Sequence, residues 1–86
     1  MDRNEIIETV KNVISEETEI PKEEIQESSL LMRDLELSSL EILAIIGRLE
    51  EKMSIVIDMY ESDELHKITS VGDLAEYLQS ALDRKV

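Results

Sequence analysis

Apolar residues at Ile6, Ile7, Val10, Val13 and Ile14 recur at the spacing of a single helix face, with polar residues between them. Asp2 followed by Glu5 supplies an N-terminal cap, so the pattern predicts an amphipathic first helix over residues 3–17. Periodicity is lost over residues 18–37, where Pro21 follows Ile20 and then Ile25, Leu30, Leu31, Leu35 and Leu37 appear irregularly around Ser28 and Ser29. This stretch reads as a long ordered loop with a short helical turn after Pro21. A connection of this length without secondary structure is uncommon unless it is functional, and its aliphatic side chains imply that it is pinned to the core.

Leu40, Leu43, Ile46, Leu49 and Met53, widened by Ile42 and Ile45, form an apolar stripe that predicts a second, most buried helix over residues 39–53. Gly47 inside it weakens the helix by roughly 1 kcal/mol relative to alanine, which close approach of a neighbouring helix would offset. Ile55, Val56 and Ile57 are β-branched but have no partner run with which to build a sheet, and they read as loop. Residues 63–67 suit one short helical turn, with Leu65 and Ile68 three apart. Ser70 with Asp73 repeats a capping signature, and Val71, Leu74, Ala75, Leu78 and Leu82 define a last helix ending near Leu82. The expected fold is all-α: one domain spanning residues 1–86, a small four-helix bundle of three main helices plus one short one, with a long first loop. With no phenylalanine or tryptophan, its core must be aliphatic.

Candidate chemistry gathers at the start of the second helix. Ser38 and Glu41 form a capping box, the serine hydroxyl accepting from the Glu41 N–H and the Glu41 carboxylate from the Ser38 N–H. That leaves Ser39 at the first helical position with its hydroxyl free. Unpaired N–H groups and the positive end of the helix dipole favour a phosphate ester there. The bland alternative is an exposed helix-start serine without chemistry, and Ser70 shows that the chain uses serine caps elsewhere.

Charge narrows the partners. Nine basic residues against 21 acidic give a formal charge of −12, which disfavours nucleic acid and anionic membranes and favours proteins with basic patches. No apolar run is long enough to span a bilayer, and Asp2, Arg3, Asn4 and Glu5 do not resemble a signal peptide, so a cytoplasmic monomer is expected. There is no cysteine, so any thiol chemistry must come from an added group. The single histidine, His66, has no companion residues that would make a catalytic set, and no enzymatic role or metal site is expected. The acids at Asp58, Glu61, Asp63 and Glu64 do not form an EF-hand loop, because Asp63 stands where the loop needs glycine.

The segment Asp34-Leu35-Glu36-Leu37-Ser38-Ser39-Leu40 resembles the attachment motif of the acyl carrier protein family, roughly Asp-Leu-Gly-x-Asp-Ser-Leu at the opening of the second helix. The likeness continues through Leu49-Glu50-Glu51-Lys52-Met53, Ile57, Ile68-Thr69-Ser70-Val71 and Tyr77-Leu78, nearly the whole chain. The resemblance implies a non-catalytic carrier with 4′-phosphopantetheine attached to Ser39 by a phosphopantetheinyl transferase, holding acyl groups as thioesters for fatty acid or related biosynthesis. It also implies that acidic residues, here Glu36, Glu41, Glu50 and Glu51 helped by Asp34, dock basic patches on acyl-handling enzymes. The chain departs from the family at Ser38, where aspartate is usual, at Glu36, where glycine is usual, and at Ala44, a position that is commonly acidic. Arg48 and Lys52 add cations to the same helix. An unmodified acidic interaction module with a carrier-like fold is the alternative.

Overall fold

The computed structural model describes residues 2–55 and 68–84. Helix α1 spans Arg3–Glu17, α2 spans Ser39–Met53 and α3 spans Val71–Arg84, and a 3-10 turn covers Lys22–Glu24. The all-α architecture expected from the periodicity is found among these residues. The short turn expected at residues 63–67 lies outside them, as do Val56, Ile57 and the acidic stretch from Asp58 to Glu64.

The start of α1 follows directly from its cap: the Asp2 carboxylate accepts from the Glu5 N–H at 2.9 Å. At its other end the Thr18 hydroxyl and N–H both return to the Ile14 carbonyl, at 2.7 and 3.0 Å, which closes the last turn. Pro21 has φ −61° and directly precedes the 3-10 turn, an angle its ring imposes. Helix α1 lies at the centre of the packing, touching α2, α3 and the 3-10 turn. Its buried face is Ile6, Ile7, Val10, Val13 and Ile14, all anticipated from their spacing.

The long loop is indeed pinned. Ile25, Leu31, Leu35 and Leu37 are buried in the same core as the helices. Backbone hydrogen bonds then fasten the loop to the approach of α3: Leu31 N–H to the Thr69 carbonyl at 2.9 Å, Val71 N–H to Ser29 at 3.0 Å, and Gly72 N–H to Glu27 at 2.9 Å. Leu30 and Ser70 form an isolated antiparallel bridge at this point. A second capping box opens α3, with Asp73 N–H donating to Ser70 Oγ at 3.1 Å while Asp73 Oδ2 accepts from the Ser70 N–H at 3.2 Å.

Two expectations about α2 need correction. Its core-facing residues are Ile42, Ile45, Ile46, Leu49 and Met53, whereas Leu40, which opened the expected stripe, is 78% exposed and Leu43 is half-buried. The sequence 40, 43, 46, 49 advances in steps of three, and each such step falls about 60° short of a full turn, so the run winds round the helix rather than along one face. Gly47 is exposed and a β-carbon there would meet nothing within 4 Å, so no close helix approach offsets its weakening of α2.

Candidate functional site

The site is built by the turn that feeds α2. Leu30 N–H donates to Asp34 Oδ2 at 2.8 Å, the N–H groups of Asp34 and Leu35 return to the Leu30 carbonyl, and Leu37 N–H returns to Leu31 at 3.0 Å. Leu35 and Leu37 are both buried on either side of exposed Glu36, and the chain turns between them with Glu36 at φ 56°. That is the left-handed region, which glycine adopts freely and a residue with a β-carbon adopts at a cost of about 1–2 kcal/mol. The residue itself does not reveal this angle; the one signal is that the resembling motif has glycine where this chain has Glu36.

Ser38 follows in an extended conformation and completes the capping box in full. Glu41 N–H donates to Ser38 Oγ at 3.2 Å, Ser38 N–H donates to Glu41 Oε1 at 2.9 Å, and Ile42 N–H donates to the Ser38 carbonyl at 3.0 Å. Ser39 is therefore the first helical residue, and it is exposed. Among the described residues its hydroxyl has no hydrogen-bond partner, and the N–H groups of Ser39 and Leu40 have none. A phosphate ester on this oxygen would meet unpaired donors and the positive end of the α2 dipole. The residues present thus fit a covalently attached phosphate-linked group, and no rearrangement of the cap is needed to receive it.

Around Ser39 the structure gathers Asp34, Glu36, Ser38, Leu40 and Glu41 into one turn and the first turn of α2, all exposed. Met32, 55% exposed in the same loop, is a second large apolar side chain left in solvent that the sequence reading did not single out. Farther along α2, Glu51 is exposed but Glu50 is half-buried. The α2 cations reach across to α1: Arg48 Nε lies 3.0 Å from Glu17 Oε1 and Lys52 Nζ lies 3.1 Å from Glu16 Oε1, while Arg48 approaches Glu51 only to 4.0 Å.

The family described as "Phosphopantetheine attachment site" matches residues 8–78. The chain belongs to this family. It is similar to the acyl carrier protein of Wolinella succinogenes, 33% identical over 75 residues that cover 87% of this chain and 95% of the relative. The acyl carrier protein of Lactobacillus acidophilus is 32% identical over 80 residues, 93% of this chain and 96% of the relative. That of Thermotoga maritima is 30% identical over 80 residues, 93% and 95% of the two chains. The chain is a phosphopantetheine-bearing acyl carrier: a covalently attached 4′-phosphopantetheine is its prosthetic group, its role is non-catalytic, and it works with a phosphopantetheinyl transferase and with acyl-handling enzymes. No described helix is long and apolar enough to cross a membrane.

Proposed function

We propose that Ser39 is the residue of this carrier that bears the arm. The observation that supports it is the division of labour at the start of α2: Ser38 performs the capping, and Ser39, exposed beside it, keeps a hydroxyl unpaired among the described residues at the electropositive end of the helix. Arm transfer there forms a bond from Ser39 Oγ to the pantetheine-side phosphorus of coenzyme A and breaks the pyrophosphate bond, releasing adenosine 3′,5′-bisphosphate and the hydroxyl proton, and it disturbs none of the capping hydrogen bonds. When bound, the group supplies a thiol on a long flexible tether, which this cysteine-free chain otherwise lacks.

The carrier acts in fatty acid or related acyl biosynthesis, as a cytoplasmic monomer that presents Glu36, Glu41, Glu50 and Glu51 to basic patches on its partners, with Asp34 and Leu40 flanking the attachment point. A formal charge of −12 favours such steering, and exposed Leu40 supplies an apolar contact at the point of docking. The family match gives no support to an unmodified interaction module. Intact mass after incubation with coenzyme A and a phosphopantetheinyl transferase tests the reading. One arm is expected on the wild type and on Ser38→Ala, and none on Ser39→Ala; an arm retained by Ser39→Ala overturns it.

A further inference from the structure

Three carboxylates border Ser39 along the chain, and the fold uses two of them. Asp34 Oδ2 accepts from the Leu30 N–H at 2.8 Å and holds the loop closed, and Glu41 Oε1 accepts from the Ser38 N–H at 2.9 Å in the capping box. Glu36 differs from both. It is exposed, and among the described residues its side chain enters no hydrogen bond and no ion pair. Its backbone sits at φ 56°, where glycine is the residue that fits without a clash at the β-carbon. Among the described residues nothing accounts for a glutamate at this position, and the local backbone works against it. What the side chain adds is a free negative charge three residues before Ser39.

Resting on the reading that Ser39 bears the arm, we propose that Glu36 is a specificity-determining residue for arm installation: its carboxylate is read by a lysine or arginine of the transferase beside the serine it modifies. Coenzyme A brings phosphates to this point, and an unmatched carboxylate there repels them. A transferase that carries a cation opposite Glu36 neutralises the charge and is selected, and one that lacks it is rejected. Glu36 acts without touching the transferred phosphorus or the Ser39 oxygen. It sets which enzyme docks and how tightly, so its signature lies in KM and in the response to salt, with kcat unchanged.

The test is steady-state kinetics of arm transfer to the apo-protein, with coenzyme A and a transferase that modifies the wild type efficiently, at low salt and at high sodium chloride. Glu36→Gln removes the charge and keeps the β-carbon; Glu36→Gly removes both. Each is expected to raise KM for the apo-protein by about five- to tenfold at low salt and to fall within about twofold of wild type at high salt, with kcat unchanged. Glu36→Lys should raise KM further. A purely structural role would leave Glu36→Gln equal to wild type at low salt and make Glu36→Gly the only variant that differs, and that result overturns the proposal. The arm on Ser39 with Glu36→Gln kinetically indistinguishable from wild type overturns this inference alone. An arm located by mass on another residue overturns the Ser39 reading and this inference with it.

Discussion

Gly72 lies directly against Glu27: its N–H donates to the Glu27 carbonyl at 2.9 Å, and a β-carbon on Gly72 would stand 3.1 Å from Glu27 Cγ and 3.3 Å from that same carbonyl oxygen. The long loop is thereby laid onto the first turn of α3 so closely that a side chain on Gly72 would require Glu27 to give by a few tenths of an ångström. The chain has one other glycine, Gly47, and its surroundings are the opposite, with nothing within 4 Å of the same position.

Substitutions at the two glycines should therefore move stability in opposite directions. Gly47→Ala gains helix propensity and should stabilise by about 1 kcal/mol. Gly72→Val must push the Glu27 backbone away and should destabilise by about 1–3 kcal/mol. Thermal unfolding followed by circular dichroism reads both, since about 1 kcal/mol shifts Tm by roughly 4–8 °C in a domain of this size. A Tm raised by Gly72→Val would contradict the close packing described.

Ser38→Ala removes the hydroxyl that receives the Glu41 N–H and should lower stability by about 1 kcal/mol. Ser38→Asp keeps the cap and adds a negative charge at the positive end of α2, so it should match or exceed wild type by a few tenths of a kcal/mol, about 0.3–1. Urea titrations of the three proteins give the comparison. Equal midpoints for Ser38→Ala and wild type would mean that the capping box contributes nothing in solution.

The Asp73 carboxyl is held below its ordinary value of 3.8, first by the Thr69 hydroxyl, which donates to Oδ2 at 2.7 Å, and then by the Thr69 N–H. Its folded pKa is depressed, so its contribution is complete above the unfolded value and is lost as the pH falls through the lower folded value. Asp73→Asn abolishes this titration. Tm measured from neutral pH downward should fall less steeply below about pH 4 in Asp73→Asn than in the wild type; parallel acid limbs would show that the cap at α3 is not linked to acid stability.

With 21 acidic residues against 9 basic, like-charge repulsion should outweigh the attraction of the surface ion pairs at Arg3–Glu27, Lys22–Glu8, Arg48–Glu17 and Lys52–Glu16. Each such pair contributes about 0–1 kcal/mol and is itself weakened by salt. Added sodium chloride or magnesium should raise Tm, because relief of repulsion dominates. A Tm that stays flat or falls with either salt would show that the ion pairs prevail.

The elements with strong local signals were legible from sequence. Asp2 and Ser38 mark their helix starts by caps whose partners lie three residues on, and the structure places both starts as expected. The burial of Ile25, Leu31, Leu35 and Leu37 followed from their being aliphatic in a loop too long to float free. Rotation of α2 was not legible, because a broad apolar run with leucines at three-residue steps fits several orientations, and only packing against α1 chooses the one that turns Leu40 outward. The left-handed turn at Glu36 was hidden for a related reason: it arises from burying Leu35 and Leu37 together while returning Leu37 to Leu31, a tertiary demand that a glutamate does not advertise. At the site itself, the capping partnership of Ser38 and Glu41 and the freedom of Ser39 were readable directly from residue spacing.

That separation between neighbouring serines would leave the proposed attachment point outside the hydrogen bonds that hold the scaffold. Since the hydrogen bonds that anchor the first turn of α2 run through Ser38 and Glu41, a tether on Ser39, as proposed, would be fastened or cleaved without breaking them. Loaded and empty forms would then offer visiting enzymes the same rigid handle, and whatever distinguishes the two must be read from the tether or its passenger.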